Sequence, residues 1–226
     1  MDLNFLNPYA DIQTTTNRLT HWEQPGATYF FTFRLADSLP VALLTGWLEE
    51  RTAWLKENPE PWSDEQERDY HRKFSGTIER WLDDGHGECL LRCPDVRGAV
   101  EHVFTKFDRD RYWHHAGVLM PNHVHLLVSL RESVELPKLL KAWKGTSSHE
   151  AGRVLQRSMS ENAFWQKDYF DRLVRDGRHF WNCARYVRRN PLKARLREGE
   201  YTLWLSDEVR QFLDAREAAG KEPGEE

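Results

Sequence analysis

Cysteine is scarce in this chain of 226 residues: there are three, Cys89, Cys93 and Cys183. So sparse and odd a set does not build a disulfide framework and points to reduced thiols. His86 could join Cys89 and Cys93 as a third zinc ligand, but no fourth partner stands at a zinc-finger spacing, which favours local packing. Long apolar runs are missing too. Nothing approaches the length of a membrane span, and the N-terminal MDLNFLNPYADIQTTTNR has no apolar stretch flanked by basic residues, so a cytoplasmic location without a membrane partner is the expectation. Net positive charge is also lacking: 32 Lys and Arg against 36 Asp and Glu leave -4, which by itself argues against a polyanion partner.

What is present reverses that last impression. Hydrophobic residues make up 39% and aromatic residues 12% of the chain, too much for a disordered polypeptide, and the length suits one globular domain with an elaboration. The charge is uneven. From Lys138 to Arg197 there are 15 Lys and Arg against 5 Asp and Glu, so this segment carries +10 and the remainder -14. A basic segment on an acidic chain is a candidate polyanion face.

Thr28 to Leu35 (TYFFTFRL) is rich in β-branched and aromatic residues and reads as a strand. Helical spacing follows from Val41, with Leu44, Trp47, Leu48 and Leu55 close to one face. Ser63-Asp64-Glu65-Gln66 is a capping-box sequence that starts a second helix, ending in the turn Asp84-Gly85-His86-Gly87. Pro94 opens a third, with Val96, Val100, Val103 and Phe107 as its buried stripe. Arg111–Met120 and His123–Leu130 read as two strands of a hairpin, central in the sheet, separated by Pro121-Asn122. Pro137 opens a helix that buries Leu139, Leu140 and Trp143. Tyr169–Val174 reads as a strand, and Asp176 caps a last helix that Pro191 should stop near Asn190. The order matches the split βαβ plan of a ferredoxin-like α+β domain with an antiparallel sheet, a helical insertion over about 60–110 and an added C-terminal helix. The domain is expected over 1–197, with 198–226 a partly flexible, charged extension.

Two short patterns bear chemistry. His123 and His125 lie two apart on a strand, so both project from one face while Val124, Leu126 and Val128 project from the other; one face reads as core, the other as chemistry. Neighbouring neutral imidazoles can chelate a divalent ion, although a pair of sheet-surface histidines fits the pattern as well. Tyr186 and Asn190 lie four apart on the last helix and share a face. An amide oxygen could add to a metal site beside a phenol, but taken alone the two read better as a half-buried tyrosine and a helix-ending asparagine.

Taken together, PNHVH, AWK, FWQKDYFDRLVRD and RYVRRNPLKA resemble, in that order, the REP-associated tyrosine transposases, members of the single-tyrosine HUH (IS200-like) transposases. The resemblance runs from about Thr20 to Arg197. It implies a metal-dependent enzyme that nicks and rejoins single-stranded DNA at imperfect palindromic hairpins, with Mg2+ or Mn2+. His123 and His125 match the two histidines of the HUH motif, Tyr186 the nucleophile and Asn190 the polar helix residue of the metal site. Arg195 stands where members commonly have glycine, and the insertion is longer than in compact members.

On this reading Tyr186 forms a 5′-phosphotyrosine link and leaves a free 3′-hydroxyl. Lys141, Lys144, Arg172, Arg175, Arg185, Arg188 and Arg189 are expected to meet phosphates, while Trp143 and Trp165 belong to the core. The chain is expected to act as a monomer or a homodimer. Two other classes compete. A nucleotide hydrolase would use the third alternate position of the strand, but that is Leu127, which is neither nucleophile nor base. A catalytically silent hairpin-DNA-binding protein or domesticated regulator of the same fold would bind hairpins without cutting them.

Overall fold

The computed structural model describes residues 3–16, 20–59 and 62–220. Glu60, where the insertion was expected to begin, and residues 221–226 of the C-terminal extension lie outside them. A short antiparallel hairpin, Gln13–Thr16 (β1) with Thr20–Glu23 (β2), precedes the main sheet. That sheet joins Thr28–Arg34 (β3), Tyr112–Leu119 (β4), His123–Leu130 (β5), Phe170–Leu173 (β6) and Thr202–Leu205 (β7). Among the described residues its order is β6-β3-β5-β4-β7, antiparallel throughout. Without β7 this is the expected ferredoxin-like order, and β4 and β5 form the expected hairpin with β5 at the centre.

Strand alternation decides what each face carries. On one side Tyr29, Phe31, Phe33, Leu35, Val124, Leu126 and Val128 meet two helices, Pro94–Thr105 and Leu136–Val154, in a single buried cluster. Each fully buried side chain of this size contributes roughly 1.5–3 kcal/mol. Trp143 and Trp165 are buried in this cluster, as the sequence suggested. The other face was expected to be given over to chemistry, but it is covered as well. Phe30, Ala116, Val118 and Leu127 pack there against Ala184 and Val187 of the helix Gly177–Lys193 and Val209 and Leu213 of the helix Asp207–Ala218. Every residue of β5 is buried.

In chain order the helices are Val41–Glu57 (α1), Asp64–Tyr70 (α2), Gly76–Asp83 (α3), Pro94–Thr105 (α4), Leu136–Val154 (α5), Glu161–Phe164 (α6), Gly177–Lys193 (α7) and Asp207–Ala218 (α8). The capping box at Ser63 is present, with Ser63 accepting from Gln66 N and Gln66 returning the bond. A π-helical turn, His71–Ser75, joins α2 to α3. The stretch expected as insertion therefore divides. Helix α4 packs with α5 on the sheet and is the first crossover helix of the plan itself, so the elaboration occupies α1 to α3, between β3 and α4.

Asp176 caps α7 by accepting from His179 N at 2.7 Å. Pro191 does not stop this helix near Asn190: the helix runs on to Lys193, because a proline so close to the end removes only the bond to the carbonyl one turn back. Beyond it, β7 pairs with β4 and α8 closes over the sheet; neither element was read from the sequence. Gly117 makes room for β7: a Cβ there would stand 2.1 Å from the Trp204 ring, whose Nε1 donates to His114 Nε2 at 2.8 Å.

Candidate active site

The register of β3 against β5 sets Thr32 opposite His125 and Arg34 opposite His123. All four side chains share one face with Phe30, the face that α7 crosses. The His123 and His125 rings lie 4.8 Å apart between centroids. Tyr186 reaches the same spot from α7, its ring 5.1 Å from His125 and 5.8 Å from Phe30, edge-on to both. Asn190, one turn further along α7, is buried beside them. One chain thus brings together all four residues singled out for chemistry, with the tyrosine helix placed over its own histidines.

The hydrogen bonds orient the two imidazoles. Asn122 donates its amide nitrogen to the carbonyls of Leu82 and His86, at 3.2 and 3.3 Å, which turns its oxygen toward His123 Nδ1 at 2.8 Å. His123 therefore carries its proton on Nδ1 and presents a lone pair on Nε2. His125 Nδ1 contacts Thr32 Oγ1 at 2.8 Å, while its Nε2 is buried with no hydrogen-bond partner among the described residues. Asn190 stands close enough to His123 and Tyr186 to bias their protonation, yet both atoms of its amide lack a well-formed hydrogen bond among the described residues. Burial drives His123 down to about 3 and His125 well below the ordinary histidine value, so both rings are neutral. An unpaired buried polar atom costs about 1–3 kcal/mol, and several of them at one point call for an explanation.

These donors suit a divalent ion: two neutral imidazole nitrogens, each set by a fixed neighbour, and an amide oxygen carried by α7. Among the described residues no three His, Cys, Asp or Glu side chains gather as a metal cluster, in keeping with a set in which the third member is an asparagine. Tyr186 is in the opposite condition. Burial, then the carboxylates of Glu79 and Asp83 on α3, lift its phenol well above the ordinary tyrosine value, against a smaller pull from Asn190. Lys193 Nζ lies 3.1 Å from Glu79 and 3.6 Å from Asp83 and ties α7 to the elaboration.

The expected phosphate contacts divide. Arg172 lines the cavity over the site and bonds His71 Nε2 at 3.0 Å. Arg175 pairs with Glu67 at 2.8 Å. Arg185 bonds Asn182 at 3.0 Å. Arg188 turns toward α8, with Asp214 at 2.7 Å and Glu217 at 3.1 Å, and Arg189 is exposed on α7. Lys141 is exposed on α5, beyond the opposite face of the sheet. Lys144 is a correction: it is buried, its ammonium donates to the carbonyls of Gln166 and Lys167 at 2.9 Å each, and Glu161 stands 3.5 Å away. Its charge is used to fasten α5 to the following loop and cannot meet a phosphate there.

Sequence reasoning missed Arg34, Asn122 and Glu79. Period-two alternation in TYFFTFRL sets Arg34 apart from Phe31 and Phe33, a usable signal, but its place opposite His123 depends on a register that one strand alone does not reveal. Glu79 belongs to an element distant in sequence, and nothing local announces where it lands.

Comparison with known proteins covers part of the chain. Residues 95–190 match the family described as "Transposase IS200 like". A curated protein of Haemophilus influenzae, itself described only as an uncharacterized protein, is 29% identical over 110 residues, which cover 41% of this chain and 56% of that protein. The match thus spans little more than half the length of that relative. A solved structure described as a REP-associated tyrosine transposase bound to a REP hairpin aligns with 79% of this chain and 74% of its own, at 17% identity and a TM-score of 0.41, too loose a likeness to carry weight. The similarity of residues 95–190 to the IS200-like transposases is shown, and this segment contains His123, His125, Tyr186 and Asn190.

Proposed function

We propose that the protein is a metal-dependent single-strand DNA nicking and joining enzyme of the transposase type, with Tyr186 as nucleophile and His123, His125 and Asn190 as ligands to Mg2+ or Mn2+. The observation that carries the reading is the convergence of two buried ligand atoms without partners among the described residues, His125 Nε2 and Asn190 Oδ1, with the His123 ring on one side of a phenol, within a segment similar to the IS200-like transposases. Bound there, the ion would supply Lewis-acid polarisation of the scissile phosphate and neutralise charge developing on its oxygens.

The chain's own residues do the rest. Asn122 and Thr32 hold the two imidazoles in place, and α7 fixes the tyrosine over them. A phenol held so firmly protonated is a poor nucleophile, so its proton must leave as the bond to phosphorus forms. The Glu79 carboxylate, which faces the phenol, is the group placed to accept it. As the tyrosine oxygen bonds to phosphorus, the bond from phosphorus to the 3′-oxygen breaks and that oxygen leaves as a 3′-hydroxyl after taking a proton from water. The 5′-phosphotyrosine conserves the bond energy, so a 3′-hydroxyl from another strand can reverse the step and rejoin DNA without nucleotide hydrolysis. Single-stranded DNA carrying a hairpin is the proposed substrate.

Incubation with end-labelled single-stranded hairpin DNA and Mn2+ is expected to give a covalent protein–DNA adduct that disappears in Tyr186→Phe and in EDTA, while fully duplex DNA of the same sequence reacts poorly. Hairpin binding with no adduct under any metal would instead support the silent DNA-binding reading.

A further inference from the structure

The elaboration between β3 and α4 does not stand apart from the site; it roofs it. A cavity of about 390 Å³ lies between the two. Its floor is the histidine face of the sheet, with Phe30, Arg34 and His125; Tyr186 forms a wall, and Trp47 and Phe74 come from above. Cavities that hold small ligands run from about 300 to 1,000 Å³. This one has room for a single nucleotide and none for a duplex.

The lining has the two chemistries that a nucleotide needs. Trp47, Tyr70 and Phe74 pack on one another as an aromatic cluster, with Trp47 and Phe74 rings 6.0 Å apart and Tyr70 and Phe74 rings 5.2 Å apart. The cluster is held rigid: Arg51 Nε donates to the Tyr70 hydroxyl at 2.7 Å, and Arg172 ties His71 to β6. The π-helical turn His71–Ser75 carries Phe74 and His71 to the cavity wall, and such turns recur at functional sites. Opposite them stands Arg34, whose buried Nε has no hydrogen-bond partner among the described residues. A guanidinium with an unused buried donor, on the same face as His123 and lining a cavity that also holds Tyr186, is placed to receive an anion.

We infer that this cavity takes one unpaired nucleotide adjoining the scissile phosphate, its base against the aromatic roof of Trp47 and Tyr70, which the buried Phe74 backs, and its phosphate against Arg34. The inference rests on the proposed function and adds to it a reason for single-strand selectivity: a base can enter only after leaving its partner and its stack. It also gives the elaboration a role in binding the substrate.

The test separates the two readings. Binding of the Tyr186→Phe protein, which cannot react, is measured against a single-stranded hairpin oligonucleotide and a series in which each unpaired nucleotide in turn is made abasic. One position is expected to weaken binding about tenfold when its base is removed, in line with the loss of one stacked base. Gly76 lines the cavity, and a Cβ there meets only the His71 carbonyl at 3.6 Å, so Gly76→Phe should fill the space. It should weaken the intact oligonucleotide by a similar factor and abolish the penalty at that one position. Phe74→Leu, a milder change, should shrink the same penalty, and Arg34→Gln should lower the salt dependence of binding by about one phosphate contact. An even abasic series, or one that Gly76→Phe leaves unaltered, overturns the pocket; if the unmodified protein still forms its adduct, the proposed function survives. Failure of the protein to bind any single-stranded DNA overturns both.

Discussion

The two faces of the central sheet are built from the same strands and yet obey different rules. On the α4–α5 face, Phe31, Phe33, Val124, Leu126 and Trp143 close an apolar core in which polar groups are few: Trp143 Nε1 meets the Tyr112 hydroxyl at 3.3 Å, Trp165 Nε1 meets Ser147 at 2.8 Å, and His114 bonds Trp204 through Nε2 while its Nδ1 alone lacks a partner among the described residues. On the α7 face, residues one step along the same strands are Thr32, Arg34, His123 and His125, and there Arg34 Nε, His125 Nε2 and the Asn190 amide are buried without partners among the described residues. The first face uses burial to hold the sheet, and the second gathers buried polar atoms without partners; on the proposed function, those atoms await a substrate and an ion.

Substitutions that respect this division should have separable effects. The largest loss of stability is expected on the apolar face: Phe33→Ala, which empties a fully buried site among Phe104, Trp143 and Trp165, should cost about 3–5 kcal/mol in denaturant unfolding. A loss under about 1 kcal/mol would show that the face is not the close-packed core described.

Next comes the clamp at the sheet edge. His21 is buried between Asp171 at 2.6 Å and Asp168 at 3.1 Å. Burial lowers its pKa, but the hydrogen bonds and charges of the two carboxylates outweigh that and raise it to about 9. A folded pKa above the unfolded value of 6.5 means that the imidazolium stabilises the fold fully below pH 6.5 and that this contribution fades as pH climbs through 9. His21→Gln should therefore cost on the order of 3 kcal/mol at pH 6 and little at pH 10. Urea midpoints across that range check it, and a penalty that stays constant with pH would break the assignment.

A smaller effect separates structure from binding within the basic segment. Lys144→Met should destabilise by about 1–3 kcal/mol, because two carbonyls lose their donor, and leave single-stranded DNA affinity unchanged; Arg172→Gln should weaken that affinity. The reverse pattern would restore Lys144 to the DNA surface.

Much of this arrangement was legible in the sequence. The ferredoxin-like plan of β3 to β6 followed from the succession of elements, though the β1–β2 hairpin and β7 did not; the capping box and the Asp176 cap were written locally, and both histidines on one strand face followed from period-two alternation. Less could be read of what covers them. Alternation shows that His125 and Leu127 share a face but not that α7 and α8 bury it, since α8 owes its place to Val209 and Leu213, which join the buried cluster of Ala116, Val118 and Leu127. Lys144 was misread because a lysine at helical spacing beside Lys141 looks solvated until the following loop brings two carbonyls to it. Arg34 and Glu79 acquire their meaning only from register and from a long-range fold-back of α3, neither of which a local pattern encodes.

The central claim is that the unsatisfied atoms of the α7 face are a metal site built beside a nucleophile, and titration with Mn2+ followed by electron paramagnetic resonance tests it without any DNA. One ion per chain should bind in the unmodified protein and in Tyr186→Phe alike, and binding should fall at least tenfold in His125→Ala and in Asn190→Leu, with the fold of each variant verified by circular dichroism. Binding that these two substitutions leave untouched would contradict the account.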